Sequence, residues 1–419
     1  MSLIGITTQN NSVLSFPPSL HDENYKKSAV PHLGTCGTTH TVDIEYSLTD
    51  NGIIEDYILE FDVATNDATN YLVLNNPYLL LAEIKYLISN VEVTHLSTTE
   101  QISSAFDTTV KTYYDKKDFF SLFQKFRLSL SDNYSSVGIT SSKSISLPLT
   151  LLFPELRKHN TSHGIIRPSF QFRFQPNYNT TPLNNRFCQS GTTTNAWDTT
   201  KISISNIAVR PIITRYSDKS IPRNVVNPVF ILHKFEVKEY SQSWNTPGTD
   251  KLKIDLTDFP RHKKILDLRL RIFPEGLNTT YNDVDAMKAG YNNPLNVGYE
   301  VRYQSRVMID FTTVATQNKR VIYQNEVFNK RFNKMIPTEL ENDSTDLNKY
   351  FLDSGIIDLS HSEAYDADQE HVGGVSNLNN DYEFTFYCTN ALATSCKLFV
   401  IMHYVEAMTV KNGIPQISR

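Results

Sequence analysis

The residues best suited to chemistry lie in an acidic segment, HSEAYDADQEH (361–371). Asp358 lies just upstream, and the segment itself carries Glu363, Asp366, Asp368 and Glu370. Closely spaced carboxylates in a loop can provide the oxygen ligands that Ca²⁺ prefers. The spacing does not match an EF-hand, which also needs a glycine at its sharp turn. An ion site and a solvated acidic loop both remain open, and we favour the solvated loop.

Histidines and basic residues supply further candidates. His159 and His163 are four residues apart, which would suit a metal on a helix, but KHNTSHG is typical of a loop and indicates surface histidines. His233 and His403 lie within predicted strands and are interpreted as packed or edge residues. A basic segment could contact phosphate, but we interpret it as the solvated face of a helix: Lys319, Arg320, Lys330, Arg331 and Lys334.

No familiar catalytic motif occurs in the sequence. We find no G-x-S-x-G elbow, Walker loop, G-x-G-x-x-G or HExxH. The sequence therefore predicts no catalytic, cofactor-binding or metal-binding residue and favours a building block over an enzyme.

Bulk composition sets limits on partners and compartment. The net charge of −5 argues against a surface that coats nucleic acid, so no sequence-specific nucleic-acid binding is expected. The first 16 residues show no signal-peptide pattern, which predicts a chain made in the cytoplasm. None of the four cysteines forms a CxxC motif. Cys388 and Cys396 flank a possible hairpin turn, so a disulfide and two separate thiols both remain open.

Alternating residues indicate strands along most of the chain. In SFQFRFQ (169–175), three phenylalanines alternate with polar residues, which gives a β-strand one apolar face and one wet face. The rings of Phe170, Phe172 and Phe174 are predicted to lie in the core. The first half supplies five more predicted strands: 42–48, 57–63, 79–88, 145–153 and 202–209.

The second half shows a similar order of predicted strands. Residues 230–240 and 251–259 are predicted to pair, and ILDLRLRIF (265–273) sets Leu266, Leu268, Leu270 and Ile272 against Asp267, Arg269 and Arg271. Further strands are predicted at 299–311, 355–360, 383–388 and 397–408. Each half also has one predicted amphipathic helix, at 115–126 and at 320–335.

The pattern predicts an all-β protein of two consecutive eight-stranded jelly-roll β-sandwiches with short helices in loops. The predicted organisation is a proline-punctuated N-terminal arm, a first jelly roll, a proline-bearing linker, a second jelly roll and a C-terminal tail: residues 1–34, 35–215, 216–228, 229–412 and 413–419.

This plan resembles the double jelly-roll major capsid proteins of the tectivirus, adenovirus-hexon and large DNA virus lineage. Residues 144–174 look like the family's strand–loop–strand, in which a proline-bearing apolar strand precedes a second strand. Residues 354–386 look like the equivalent place in the second roll. The chain is shorter than hexon-like members, and it gives no crisp match to the signature of any one branch.

The resemblance implies a structural protein of the virion. Three copies would form a pseudo-hexameric homotrimer that tiles an icosahedral shell of a tailless virus. Its partners would be neighbouring trimers, minor capsid and penton proteins, and an internal viral membrane near the arm. The alternative function is a glycan-binding protein or peptide-N-glycanase-like amidase on the same fold, with Trp197, Trp244 and Asp366 or Asp368 in a cleft between the rolls.

Overall fold

The structure is a computed structural model of the 419-residue chain. It describes these parts of the chain: 20–22, 28–29, 39–43, 52–65, 72–74, 77–98, 100–102, 104–106, 143–156, 168–174, 187–189, 202–215, 229–259, 264–274, 296–313, 356–359, 375–376, 381–392, 396–411 and 414–418. Both predicted amphipathic helices, 115–126 and 320–335, lie outside the described residues.

Among the described residues, eleven strands precede the predicted linker: β1 (Leu20–Asp22), β2 (Ser28–Ala29), β3 (Thr39–Asp43), β4 (Gly52–Thr65), β5 (Leu72–Leu74), β6 (Leu81–Ile88), β7 (Val91–Leu96), β8 (Lys143–Pro148), β9 (Pro168–Phe174), β10 (Phe187–Gln189) and β11 (Ile202–Arg215). They are accompanied by short 3-10 helices at Pro77–Leu80, Leu149–Leu151 and 154–156, and by helical residues at 100–102 and 104–106. Sheet I has the order β1-β11-β4-β8, with β2 also on β11, and sheet II has the order β3-β9-β6-β7. β5 and β10 form a separate ribbon.

In the part of the second half that the structure describes, ten strands follow the predicted linker: β12 (Val229–Gln242), β13 (Lys251–Ile254), β14 (Lys264–Pro274), β15 (Val297–Tyr303), β16 (Arg306–Asp310), β17 (Ile356–Asp358), β18 (Val375–Ser376), β19 (Tyr382–Cys388), β20 (Cys396–Lys411) and β21 (Ile414–Ser418). Sheet III has the order β12-β20-β14-β17, with β18 on β14 and β21 on β20. Sheet IV has the order β13-β19-β15-β16.

The two halves share one strand order. When the eight main strands of each half are numbered along the chain, sheets I and III both read 1-8-3-6, and sheets II and IV both read 2-7-4-5. This antiparallel order is that of an eight-stranded jelly roll. The predicted fold class, two consecutive jelly-roll sandwiches, is confirmed.

The alternating phenylalanines of β9 are core residues, as predicted. Phe170, Phe172 and Phe174 are fully buried, whereas Gln171 and Arg173 between them are only partly buried. The rings face sheet I, where Tyr57 lies 5.3 Å from Phe170 between ring centroids. β9 therefore contributes a row of aromatic side chains to the core of the first sandwich, because its apolar residues recur at every second position, which is the side-chain period of a strand.

Two predicted strands end earlier than the alternation suggested. The strand predicted at 145–153 ends at Pro148, where a 3-10 turn begins, because proline has no N–H for a further ladder bond. The strand predicted at 251–259 ends at Ile254. There the Asp255 carboxylate accepts a hydrogen bond from the Thr257 N–H at 2.9 Å and starts another 3-10 turn.

The predicted pairing of 230–240 with 251–259 is wrong. β12 pairs with β20 in sheet III, and β13 pairs with β19 in sheet IV. Residues 243–250 therefore carry the chain from one sheet to the other. Neighbouring alternating segments indicate a hairpin only when a tight turn joins them, and this connection is too long and irregular for that.

Short strands occur in the predicted arm and in the predicted tail. Within residues 1–34, β1 and β2 pair with β11, so the first strand position of the first sandwich lies before the predicted boundary at residue 35. Within residues 413–419, β21 pairs with β20. Strands of three and two residues are too short to show alternation, which explains why β1 and β2 were not predicted.

Cys388 and Cys396 are buried thiols that are not joined in a disulfide. Cys388 ends β19 in sheet IV, while Cys396 begins β20 in sheet III, so the chain between them crosses between sheets instead of making a hairpin. Burial, followed by the nearby Asp250 carboxylate, raises the pKa of Cys388 to about 11. The interpretation of two separate thiols is the correct one.

Candidate functional site: the interface between the two sandwiches

Most of the polar candidates from the sequence lie outside the described residues. These are His159, His163, Trp197, Lys319, Arg320, Lys330, Arg331, Lys334, Glu363, Asp366, Asp368 and Glu370. Asp358 is the last residue of β17. Within the described part of the chain, no three histidine, cysteine or acidic side chains are grouped as metal ligands, and no helix is long and apolar enough to cross a membrane.

Trp244 is a core residue and lines no cleft. It is fully buried in the core of the second sandwich, and its indole N–H donates to the Asn296 carbonyl at 3.3 Å. A ring held in this way has no face to offer to a sugar. The role given to Trp244 in the glycan-binding alternative is therefore wrong.

Several described polar side chains come together on sheet III, where it faces the first sandwich. Asp267, Arg269 and Arg271 were predicted to form the wet face of β14, but all three are buried, as are the leucines of the opposite face. β14 is therefore buried on both faces, and its polar face lies at the contact between the two sandwiches. His233 and His403, predicted as packed or edge residues, are buried in the same region.

These side chains form one hydrogen-bonded network. Arg269 donates from Nε to Asp267 Oδ1 at 2.6 Å and from Nη2 to Oδ2 at 3.2 Å. His403 Nδ1 lies 2.8 Å from Asp267 Oδ2, and His403 Nε2 lies 2.9 Å from His233 Nδ1. Since a carboxylate only accepts, His403 Nδ1 donates to it, and the Nε2 of a neutral His403 then accepts from His233.

The network is packed against aromatic surface. The Phe235 ring stacks on the His403 ring at 4.7 Å between centroids and 14° between planes. The Arg269 guanidinium lies 5.8 Å from the same Phe235 ring centroid, which is within cation–π range. A buried ion pair is stabilising only when its remaining donors are satisfied, and here stacking and hydrogen bonds surround it.

Several hydrogen bonds join sheet III to the first sandwich. The Gln101 amide donates to the Phe235 carbonyl at 2.5 Å, and Arg269 Nη1 donates to the Ser104 carbonyl at 3.4 Å. Lys234 of β12 donates to the Val93 carbonyl of β7. The fifth strand of the first sandwich and the helical residues that follow it thus cover the sheet that begins the second.

An apolar core is also shared between the sandwiches. One continuous buried cluster contains most of the first sandwich core together with residues of sheet III: Phe230, Leu232, Phe235, Ile401, Met408 and Val410. Ile417 of β21 packs against the same cluster. Because burial of such side chains contributes about 1.5–3 kcal/mol each, the two sandwiches are held as one unit.

Glu155 is a buried acid beside this contact. Thr94 of β7 donates to Glu155 Oε1 at 2.9 Å, and Lys234 Nζ lies 3.4 Å from the same Thr94 hydroxyl. Burial outweighs the hydrogen bonds and the charge of Lys234, and it raises the pKa of Glu155 from an ordinary value of 4.5 to about 7. Glu155 is therefore half protonated near neutral pH.

We expect Glu155→Gln to stabilise the protein at pH 8 and to have little effect at pH 4.5. The folded state holds the Glu155 proton up to about pH 7, whereas the unfolded chain releases it near pH 4.5. The stabilising effect of this proton is therefore complete below pH 4.5 and is lost as the pH rises to 7, by a total of about 3 kcal/mol. Urea unfolding of both proteins at several pH values measures the difference.

Glutamine is the informative replacement because its amide oxygen can still accept from Thr94. The two stability curves should separate steadily between pH 4.5 and 7 and run parallel above that. Curves that stay parallel over the whole range would show that the pKa of Glu155 is the same in the folded and the unfolded chain, so that burial does not raise it.

The network contains the residue types of a proton relay, but its place favours a structural role. His403 and Asp267 have no exposed surface, so a substrate cannot reach them in the folded chain. What the arrangement does is fix one sandwich against the other with directional bonds, which an apolar contact alone would not specify. Sequence alternation placed Asp267 and Arg269 on one face of a strand but gave no sign of their burial, whereas His233 and His403 were already interpreted as packed or edge residues.

No protein-family model and no curated protein matches the sequence. Solved structures do match along nearly the whole chain. The capsid of the virus PBCV-1 superposes with a TM-score of 0.59 at 10% identity, covering 96% of each chain. The Faustovirus major capsid protein gives 0.55 at 8% identity, covering 94% of this chain and 92% of its own. The Sputnik virophage structure gives 0.55 at 9% identity, covering 96% and 90%.

These similarities extend over both sandwiches. Identities of 8–10% carry no information about individual residues, so what they support is the fold. Together with the twice-repeated strand order, they show that the chain has the double jelly-roll fold found in these virus capsid structures.

Proposed function

We propose that this protein is the major capsid protein of a tailless icosahedral virus and has a structural role without catalysis. The observation that carries the proposal is the repetition of one complete jelly roll within a single chain, in a fold that matches virus capsid structures from end to end. Two similar units held rigidly side by side form a block with two nearly equivalent surfaces. Such blocks assemble into closed shells with few kinds of contact.

In this proposal three chains form a pseudo-hexameric homotrimer in which six sandwiches surround the threefold axis. The trimers tile the shell and contact minor capsid and penton proteins. Residues before β1 reach a neighbouring subunit or an internal membrane. The chain is made in the host cytoplasm and functions in the virion.

We expect a solution mass of three times 47.9 kDa and six-sided outlines in negative stain. The physical reason is that each chain supplies two of six similar units, so that three chains complete a ring. Multi-angle light scattering with imaging of the same chromatographic peak measures both properties. A particle of two or four chains would contradict the proposal, since neither number completes a six-unit ring.

A further inference from the structure

Within the described part of the chain, the buried charged side chains lie on the elements that meet between the two sandwiches. The second sandwich supplies the half-buried Lys234 and the buried His233 from β12, Asp267, Arg269 and Arg271 from β14, and His403 from β20, and the first sandwich supplies Glu100 and Glu155. Glutamate and histidine change charge between acidic and neutral pH. The number of protons held at this interface therefore depends on pH.

The facing rings of His233 and His403 cannot both be fully protonated in the folded chain. His233 Nδ1 and His403 Nε2 lie 2.9 Å apart, and a hydrogen bond at that distance needs one donor and one acceptor. Two fully protonated rings would set two N–H groups against each other, with His403 shielded from solvent. The folded pair thus takes up at most one of the two protons that the unfolded chain binds below about pH 6.5.

The surroundings of the pair favour one added proton and oppose a second. The Asp267 carboxylate accepts from His403 Nδ1 at 2.8 Å, and the Phe235 ring stacks on the His403 ring, so both stabilise one positive charge. The Arg269 guanidinium is bonded to the same carboxylate and repels a further charge. Below about pH 6.5 the folded pair lacks one proton relative to the unfolded chain, so its contribution to stability is lost as the pH falls.

Glu155 has the opposite proton balance. Its side chain is buried and accepts from Thr94 at 2.9 Å. Burial raises the pKa of Glu155 from 4.5 to about 7, so between these pH values the folded chain holds a proton that the unfolded chain has released. Its contribution to stability is therefore lost as the pH rises through this range.

We propose that Glu155 and the His233–His403 pair make the interface between the sandwiches a pH-compensated contact, which keeps its stability from mildly acidic to nearly neutral conditions. Over this range the folded protein holds one extra proton at Glu155 and lacks one proton at the pair, and the two effects on the free energy of unfolding cancel. The inference concerns the interface within one chain and does not depend on the capsid role.

The first test compares urea unfolding of the unmodified protein with that of two single variants between about pH 5 and about pH 6.5. Glu155→Gln removes the extra proton, so its unfolding constant relative to the unmodified protein should fall about tenfold for each pH unit of increase. His233→Asn removes the conflict between the rings, because the asparagine carbonyl accepts from a protonated His403. Its relative unfolding constant should fall about tenfold for each pH unit of decrease.

The matched control is the double variant, Glu155→Gln with His233→Asn. It lacks both proton imbalances, so its stability should run parallel to that of the unmodified protein over the same pH range. All four proteins are compared at one protein concentration, which keeps any effect of association constant. A His233→Asn curve parallel to that of the unmodified protein, or two single variants that diverge in the same direction, would overturn the proposal.

A second measurement needs no variant. Nitrogen-15 spectra of the unmodified protein labelled at its eleven histidines report the protonation of each ring nitrogen. At about pH 5, well below the ordinary histidine pKa, one unprotonated ring nitrogen should remain and should show coupling to the nitrogen of a second ring through their shared hydrogen bond. A spectrum in which every ring nitrogen is protonated would rule out the compensation.

Discussion

Asp267→Asn should lower the free energy of unfolding by about 3–5 kcal/mol, because it leaves the buried guanidinium of Arg269 without a counter-charge. The Asp267 carboxylate is fully buried and accepts two hydrogen bonds from Arg269 and one from His403. Asparagine keeps the size of the side chain and one acceptor. The loss of stability therefore measures the effect of the missing charge and not that of a cavity. The midpoint and slope of a urea unfolding curve give the value.

The chain contains a matched control for this experiment. Glu300 and Arg302 on β15 have the same spacing as Asp267 and Arg269, and their Nε–Oε1 distance is also 2.6 Å. The Arg302 side chain is 41% exposed, whereas that of Arg269 is 4% exposed. Glu300→Gln should therefore cost less than about 1 kcal/mol, because water replaces the lost partner.

A double variant separates the ion pair from its burial cost. Asp267→Asn with Arg269→Met removes both charges, and replacing a buried pair by neutral residues is often close to neutral in stability. The double variant should recover most of the stability that Asp267→Asn loses. If Asp267→Asn unfolds at the same urea concentration as Glu300→Gln, the network does not stabilise the interface.

These two ion pairs also show where sequence reasoning stops. The segments DLR (267–269) and EVR (300–302) have the same pattern of acid, apolar residue and arginine on a strand. One pair is sealed between two sandwiches and the other lies at the surface. Alternation reports that a strand has two different faces, but it carries no information on what packs against the polar one.

Local patterning was sufficient for most strands and for the class of fold. β4, β14 and β20 contain the segments from which they were predicted, and β6 and β9 cover most of theirs. The pairing of strands was harder to predict from the sequence, because many partner strands in a jelly roll are distant along the chain. β12 and β13 are an example, since they are neighbours in sequence but lie in different sheets. The repeated pattern of strands predicted two jelly rolls, and the resemblance to capsid proteins implied the structural role.

Phe172→Ala should lower the stability of the first sandwich by about 3–5 kcal/mol, the cost of removing a buried ring and leaving a cavity. Phe172 lies on β9, which is bonded to β3 on one side and to β6 on the other. Its ring meets that of Phe174 edge to face at 5.8 Å. Circular dichroism during urea unfolding measures the shift, and Gln171→Ala on the opposite face should cost less than about 1 kcal/mol.

Trp244 fluorescence, followed in the same urea unfolding experiment, tests whether the two sandwiches unfold together. Trp244 lies in the separate core of the second sandwich, and Trp197→Phe would leave it as the only tryptophan. The cluster that contains Phe172 also contains Phe235 and Ile401 of sheet III, so loss of the first sandwich exposes one face of the second. Trp244 fluorescence should therefore shift at the same lowered urea concentration as the dichroism. A fluorescence transition that keeps its wild-type midpoint would show that the second sandwich is stable alone and that the shared core does not couple them.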